Sequence, residues 1–376
     1  MGTNSCPKAD SMISVCTDAV AYHATVLQTQ VSWQKQVMKI FLTLLIFGLL
    51  LYSCRKPVHN PVQTTSAACL KTTFLPVGFA ESLQAVFFLN GKEGFVAGAN
   101  GGIYKTTDSA NTWTRLNYTA GAPVRGLFFP DAQTGFAVGG QNSCSGSGCI
   151  PPGGFILKTA DGGKSWNKVY TPADRVEITS VYFTDAGNGV CVGDNVIFKT
   201  TDGGLTWRET RLSNLGAKMM QVKFAGQQAG YIACLFGKIV RTGDGGVTWH
   251  IINTGANTGY YSIAEASGAI YLSGQGKIIR STNAGTSWNE LPNSPTDIFA
   301  LHFVDLKRGF AFGRGRYSGG DFGHYYGSIY CTGDGGATWN GTDGVQETGL
   351  IESVSFPAPA LGYAISGRTV IRLSAN

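Results

Sequence analysis

Thr200-Thr201-Asp202-Gly203-Gly204-Leu205-Thr206-Trp207 decides the fold, because the same phrase returns at residues 106–113, 159–166, 242–249, 281–288 and 332–339. The phrase runs Thr or Ser, any residue, Asp or Asn, two mostly Gly positions, any residue, Ser or Thr, Trp. Its tryptophans are 53, 41, 42, 39 and 51 residues apart, and six of the chain's seven tryptophans close a copy. A period of about forty residues in a Gly-rich sequence of short apolar runs is the signature of a blade array.

Aligning the copies exposes four strand-like runs per unit, clearest at 178–183, 189–192, 196–200 and 206–210. Each is β-branched or aromatic and bounded by Gly, Asp or Asn. The first two recur as Val86-Phe87-Phe88 with Gly94-Phe95-Val96, and as Leu301-His302-Phe303 with Gly309-Phe310-Ala311. Beyond the sixth phrase the chain supplies only three more runs, while residues 71–77 form a spare strand ahead of the first unit. An open array would leave sheet edges unpaired, and joining the first strand to the last three removes them. The expected fold is therefore all-β: a seven-bladed β-propeller of four-stranded antiparallel blades over residues 70–376, the last blade closed by strands from both termini. A six-bladed ring with an extra hairpin is the runner-up.

Of 376 residues only 14% are charged and 52 are Gly, which suits many tight turns in one β-domain. The net charge of +6 comes from scattered basic residues and gives no nucleic-acid footprint. Residues 38–53 place Lys39 ahead of an apolar run and then Leu51-Tyr52-Ser53-Cys54. They read as a signal peptide whose ending resembles a bacterial lipobox, with Cys54 lipidated and Tyr52 departing from the usual small residue. Residues 54–69 then form a lipidated tether, and residues 1–37 a non-native or mis-annotated extension ahead of Met38. The expected location is the bacterial cell envelope, periplasmic side or surface. Export would let Cys144 and Cys149 pair across a Ser-Gly loop, whereas Cys191, Cys234 and Cys331 sit in apolar runs and read as core residues.

Within each phrase the acid at the third position, or Asn283 in the fifth copy, can accept backbone N–H bonds across its own turn. The residues carrying this role are Asp108, Asp161, Asp202, Asp244, Asn283 and Asp334, closed by Trp113, Trp166, Trp207, Trp249, Trp288 and Trp339. Each indole can pack over its blade and place its N–H at the turn. One carboxylate every forty or so residues does not build a calcium site, so no metal and no cofactor is expected. These phrases resemble the Asp box, or BNR, repeat. With the Gly-Phe or Gly-Tyr pair ahead of each third strand, residues 70–376 are most similar to the photosystem II stability and assembly factor family. That resemblance implies a seven-bladed propeller. Ala110 and Asn283-Ala284 depart from the pattern and are expected to weaken their turns.

The boxes fall between third and fourth strands and so share one face. Two insertions, 140–154 and 313–327, join second to third strands and rise from the opposite face. The second combines Arg314, Arg316, Tyr317, Asp321, Phe322, His324, Tyr325 and Tyr326, a mixture suited to anionic or sugar-like ligands and to protein contacts. Alignment also sets Gln84, Arg125, Thr179, Met220, Tyr261, Phe299 and Glu352 at one position near the entry of the innermost strands, a candidate ring around the channel. Arg125 and Glu352 would face its mouth or pair with each other. His302, where other blades carry Phe or Tyr, reads as a satisfied strand histidine.

Sialidases share the box, but their mechanism implies a three-arginine clamp, a Tyr nucleophile and an Arg-Ile-Pro phrase, which this sequence lacks. The expected function is a non-catalytic, lipid-anchored monomeric scaffold of the envelope, binding a protein or membrane complex, or a glycan, through its insertion-bearing face. The alternative is a carbohydrate-active enzyme with an atypical site, which would need two carboxyls about 5 to 10 Å apart in a pocket on that face.

Overall fold

The computed structural model describes residues 64–66, 70–75, 78–141, 153–318, 324–345 and 349–375, all within the compact unit Pro61–Asn376. The segments read as signal, lipidation site Cys54 and N-terminal extension lie outside them, as do Cys144 and Cys149. The described residues form seven antiparallel sheets, six of four strands and one of five. Each sheet is one blade, and the expected closure is present. Leu70–Leu75 pairs with Thr369–Ala375, with Leu70 opposite Ala375 and Leu75 opposite Val370, completing the blade of Ile351–Ala358 and Leu361–Ser366. Thr64–Ser66, read from sequence as part of the tether, adds a fifth strand to that blade by pairing with residues 71–73.

The inner strands of blades one to seven are Leu83–Phe88, Val124–Phe128, Ser180–Phe183, Met219–Ala225, Tyr260–Ala266, Ile298–Phe303 and Ile351–Ala358. Apolar clusters form between neighbouring blades rather than within one. Phe95 of the first blade stacks on Phe129 of the second at 4.4 Å, Phe136 on Phe183 at 4.0 Å, Tyr271 on Phe303 at 3.8 Å and Tyr363 on Phe88 at 3.5 Å. Burying one such aromatic contributes about 2 kcal/mol or more, so this repeated stack sets the blade spacing.

The Asp boxes sit between third and fourth strands as expected. In the third blade Thr200 donates its hydroxyl to Asp202 at 2.7 Å, and Asp202 accepts the Thr206 N–H at 2.9 Å and hydroxyl at 2.6 Å. These bonds hold its carboxyl well below the usual range; the same bonds bring Asp161 and Asp334 down to about 2. Asn283 keeps the pattern, accepting the Ser287 N–H at 3.0 Å and donating to its hydroxyl at 2.9 Å. The expected weakening at this box therefore does not extend to its hydrogen bonds. The cost is in the backbone, where Ala110 and Ala284 take φ of 65° and 54°.

The tryptophans differ from expectation. Only Trp339 donates its N–H to its turn, to Gly336 O at 3.1 Å, while the other five box indoles find no acceptor among the described residues. Packing fixes them instead, edge-on to the inner-strand phenylalanine, as in Phe183–Trp207 at 6.1 Å and 89°. Where Glu265 replaces that phenylalanine, Trp288 turns to Tyr231 of the preceding blade. Lys105, Lys158 and Lys199 donate to the carbonyls of Gly162, Gly203 and Gly245, strapping each blade to the next box. Cys191 and Cys234 are buried free thiols, but Cys331 is disulfide-bonded, with its partner outside the described residues. Its apolar strand context had masked this pairing.

Candidate functional site

A cavity of about 680 Å³ runs between the inner strands, and all seven residues of the aligned ring line it. The reason is a repeated irregularity. In six blades the inner strand carries a β-bulge whose extra residue is Gln84, Arg125, Met220, Tyr261, Phe299 or Glu352. Thr179 takes the corresponding place ahead of Ser180–Phe183, its N–H bonded to Val192 O at 2.8 Å. A bulge leaves one residue without a cross-strand partner and re-aims its side chain. Here the bulges turn six side chains out of the blade packing and into the channel, and Thr179 lines it without one. The close approach this needs is visible at Gly139, where a Cβ would lie 2.0 Å from the Pro123 carbonyl oxygen.

Leu83 opposes Gly98, the last residue of the second strand, so inner strands begin at the face that carries the second-to-third links. The channel mouth thus opens on the insertion-bearing face. Two residues upstream of the bulge, Glu177 and Lys218 join the wall. Glu177 is only 3% exposed and binds Arg125 Nε at 2.7 Å through one oxygen and Lys218 Nζ at 2.5 Å through the other. Arg125 also donates to Gln84. The alternative pairing of Arg125 with Glu352 is therefore replaced by a bond to Glu177, a closer and more buried acceptor. Arg125 still acts on Glu352 through space. Glu352 keeps access to channel water, yet its surroundings desolvate it and push its carboxyl up, against the pull of Arg125.

Another stretch of the mouth is built from stacked rings. Tyr261 and Phe299 lie parallel at 4.8 Å, and the Arg314 guanidinium stands 5.6 Å from the Phe299 centroid. The mouth thus combines a planar apolar platform with fixed charges of both signs.

The insertion containing Arg314 is a continuation of the sixth blade. Gly309–Ser318 and His324–Thr332 pair past the blade edge, with Tyr317 opposite Tyr325 and Ser318 opposite His324. Arg314 reaches the channel ring and Tyr326 is half-buried. For Arg316, Tyr317, His324 and Tyr325 the strand assignment alone is described, and Asp321 and Phe322 lie outside the described residues. His302 is half-buried in the channel wall, stacked on Phe356 at 4.2 Å, and burial with Lys223 nearby lowers its imidazole to about 4. Among the described residues there is no group of three metal-ligating side chains.

Residues 158–290 match the family described as Photosynthesis system II assembly factor YCF48. No curated protein matches the chain. Among solved structures, YCF48 bound to D1 peptide is 14% identical, with a TM-score of 0.63 over 84% of this chain and 100% of that one. A virginiamycin B lyase from Staphylococcus aureus is 13% identical, with a TM-score of 0.65 over 81% and 99%. The GH74 enzyme of Niastella koreensis is 18% identical with a TM-score of 0.61; it aligns with 79% of this chain, which spans only 53% of that enzyme. The chain is an Asp-box repeat propeller that resembles the photosystem II assembly factor family, and these likenesses share its fold.

Proposed function

We propose that the protein is a non-catalytic assembly scaffold of the cell envelope, held by lipidated Cys54, that takes an extended peptide segment of its partner at the channel mouth. The observation that carries this reading is the run of seven channel-facing residues, six of them bulged, which sets the Tyr261–Phe299–Arg314 platform and the Arg125–Glu177–Lys218 cluster around one opening. Rings over an arginine recognise peptide side chains, and fixed charges set register. The neighbour whose structure holds a D1 peptide supports a peptide ligand for this architecture. A glycan would use the same rings, and is the second ligand class to test.

The hydrolase reading has one observation in its favour. Glu177 and Glu352 line one cavity and both act on Arg125. Glu177, however, has both oxygens bonded to cations, which leaves it poorly placed to activate water or attack a sugar. Photocrosslinking in intact cells tests the scaffold. A crosslinker at position 261 is expected to capture an envelope protein, and one at position 205 on the box face is not. Capture from position 205 alone, or glycan hydrolysis that disappears in Glu352→Gln, overturns it. A Cys54→Ser protein that still partitions with membranes overturns the anchor.

A further inference from the structure

Three residues past the ring position, six of the seven inner strands put a second side chain into the channel wall. In the first three blades these are Phe87, Phe128 and Tyr182; the fourth, sixth and seventh carry Lys223, His302 and Ser355, while Ala264 of the fifth is buried in the blade packing. Lys223, His302 and the three rings all line the channel. Ala264, with its single methyl, stands between the lysine and the histidine in blade order. The inner tier is therefore three rings followed by an amine, a gap at Ala264, an imidazole and the Ser355 hydroxyl.

Lys223 is half-buried, and among the described residues its Nζ makes no hydrogen bond or ion pair. Loss of solvent lowers its amine, against the pull of Glu265 on the neighbouring blade. Glu265 also acts on Tyr182, whose phenol is raised chiefly by burial, and Lys223 acts on His302. A partly desolvated amine that shares with an imidazole a cavity large enough for a small molecule is the setting of a nucleophilic lysine.

We propose that Lys223 is a carbonyl-reactive site, at which a small aromatic aldehyde entering the channel condenses with Nζ to give an imine and one water. The amine lone pair forms the N–C bond as the carbonyl π pair moves to oxygen. His302 takes a proton from nitrogen and returns it to that oxygen. The hydroxyl then leaves with a second proton as water, and the nitrogen lone pair closes the C=N bond. Phe87, Phe128 and Phe356 supply the walls for a planar ligand. The tier lies in the same cavity as the ring, three residues further along each inner strand, and its chemistry does not rest on peptide binding at the mouth.

The test treats the full chain with pyridoxal and cyanoborohydride at pH 7 and maps reduced adducts by peptide mass spectrometry. Lys223 is expected to be modified about tenfold faster than Lys164, an exposed lysine in the second box. Lys223→Arg removes that adduct and leaves Lys164 labelling unchanged. His302→Phe, which copies Phe128 at the same position, slows Lys223 labelling severalfold without affecting Lys164. Labelling of Lys223 no faster than Lys164 in the unsubstituted protein overturns the proposal, whether or not the variants fold. An unchanged Lys223 rate in folded His302→Phe overturns the proton-transfer role.

Discussion

Glu177→Gln tests the electrostatic frame of the mouth and ties stability to binding in one substitution. Glu177 is 3% exposed and holds Arg125 and Lys218, whose side chains are 37% and 32% exposed. Breaking a buried ion pair costs about 3 to 5 kcal/mol. The two cations keep part of their hydration, so solvent screening lowers the expected loss to about 2 to 3 kcal/mol. For a domain of this size that corresponds to a fall in Tm of roughly 5 °C. The substitution also leaves two positive charges at the mouth without their carboxylate, so an acidic peptide should bind more tightly, with steeper salt dependence. Urea unfolding measures the first effect and titration of an acidic probe peptide at two salt concentrations measures the second. A loss below about 0.5 kcal/mol, typical of an exposed pair, would refute the buried bridge. Unchanged salt dependence would refute its control of the mouth.

The lowered carboxyls of Asp161, Asp202, Asp244 and Asp334 stabilise the fold above the unfolded value near pH 4, and that contribution is lost as pH falls toward 2 and below. Replacing all four with Asn, following Asn283, should flatten the acid limb of Tm against pH; an unaltered limb would contradict this. Gly163→Ala puts a Cβ 2.4 Å from Phe95 at φ +82° and is expected to cost about 3 kcal/mol in chemical unfolding. Gly226→Ala, at φ +71° with open space around it, should cost only about 1 kcal/mol; equal losses would show that the inter-blade contact does not matter. Reduction should lower Tm more in the parent protein than in Cys331→Ser, while Cys191 and Cys234 stay unreactive toward maleimide until unfolding. Rapid maleimide labelling of either thiol in the folded state would contradict their burial.

The blade count and the channel ring were legible in the sequence because both follow from alignment on the tryptophans. The bulge that gives the ring its direction was not, since an extra residue in one strand is invisible until its partner strand is placed. Glu177 and Lys218 were within reach, standing two residues ahead of Thr179 and Met220 in the same alignment. The repeat does not mark them, because the other blades carry Ser82, Pro123, Gly259, Asp297 and Leu350 there, with no shared chemistry. The lysine straps to Gly162, Gly203 and Gly245 were hidden for a different reason: they join residues of neighbouring blades. Composition suggested a glycine-rich loop at 313–327, but the residues that flank its centre pair with one another and prolong the blade.

The central claim is that the partner docks on the ringed mouth and not on the box face, where Leu205 and Val247 stand 72% and 68% exposed. The most direct measurement is the calorimetric affinity of a display-selected peptide for the parent domain, for Phe299→Ala and for the Leu205→Ala, Val247→Ala double variant. The account predicts a loss of about 2 kcal/mol, roughly thirtyfold, for Phe299→Ala and none for the double variant. Full affinity in Phe299→Ala with loss in the double variant would contradict it.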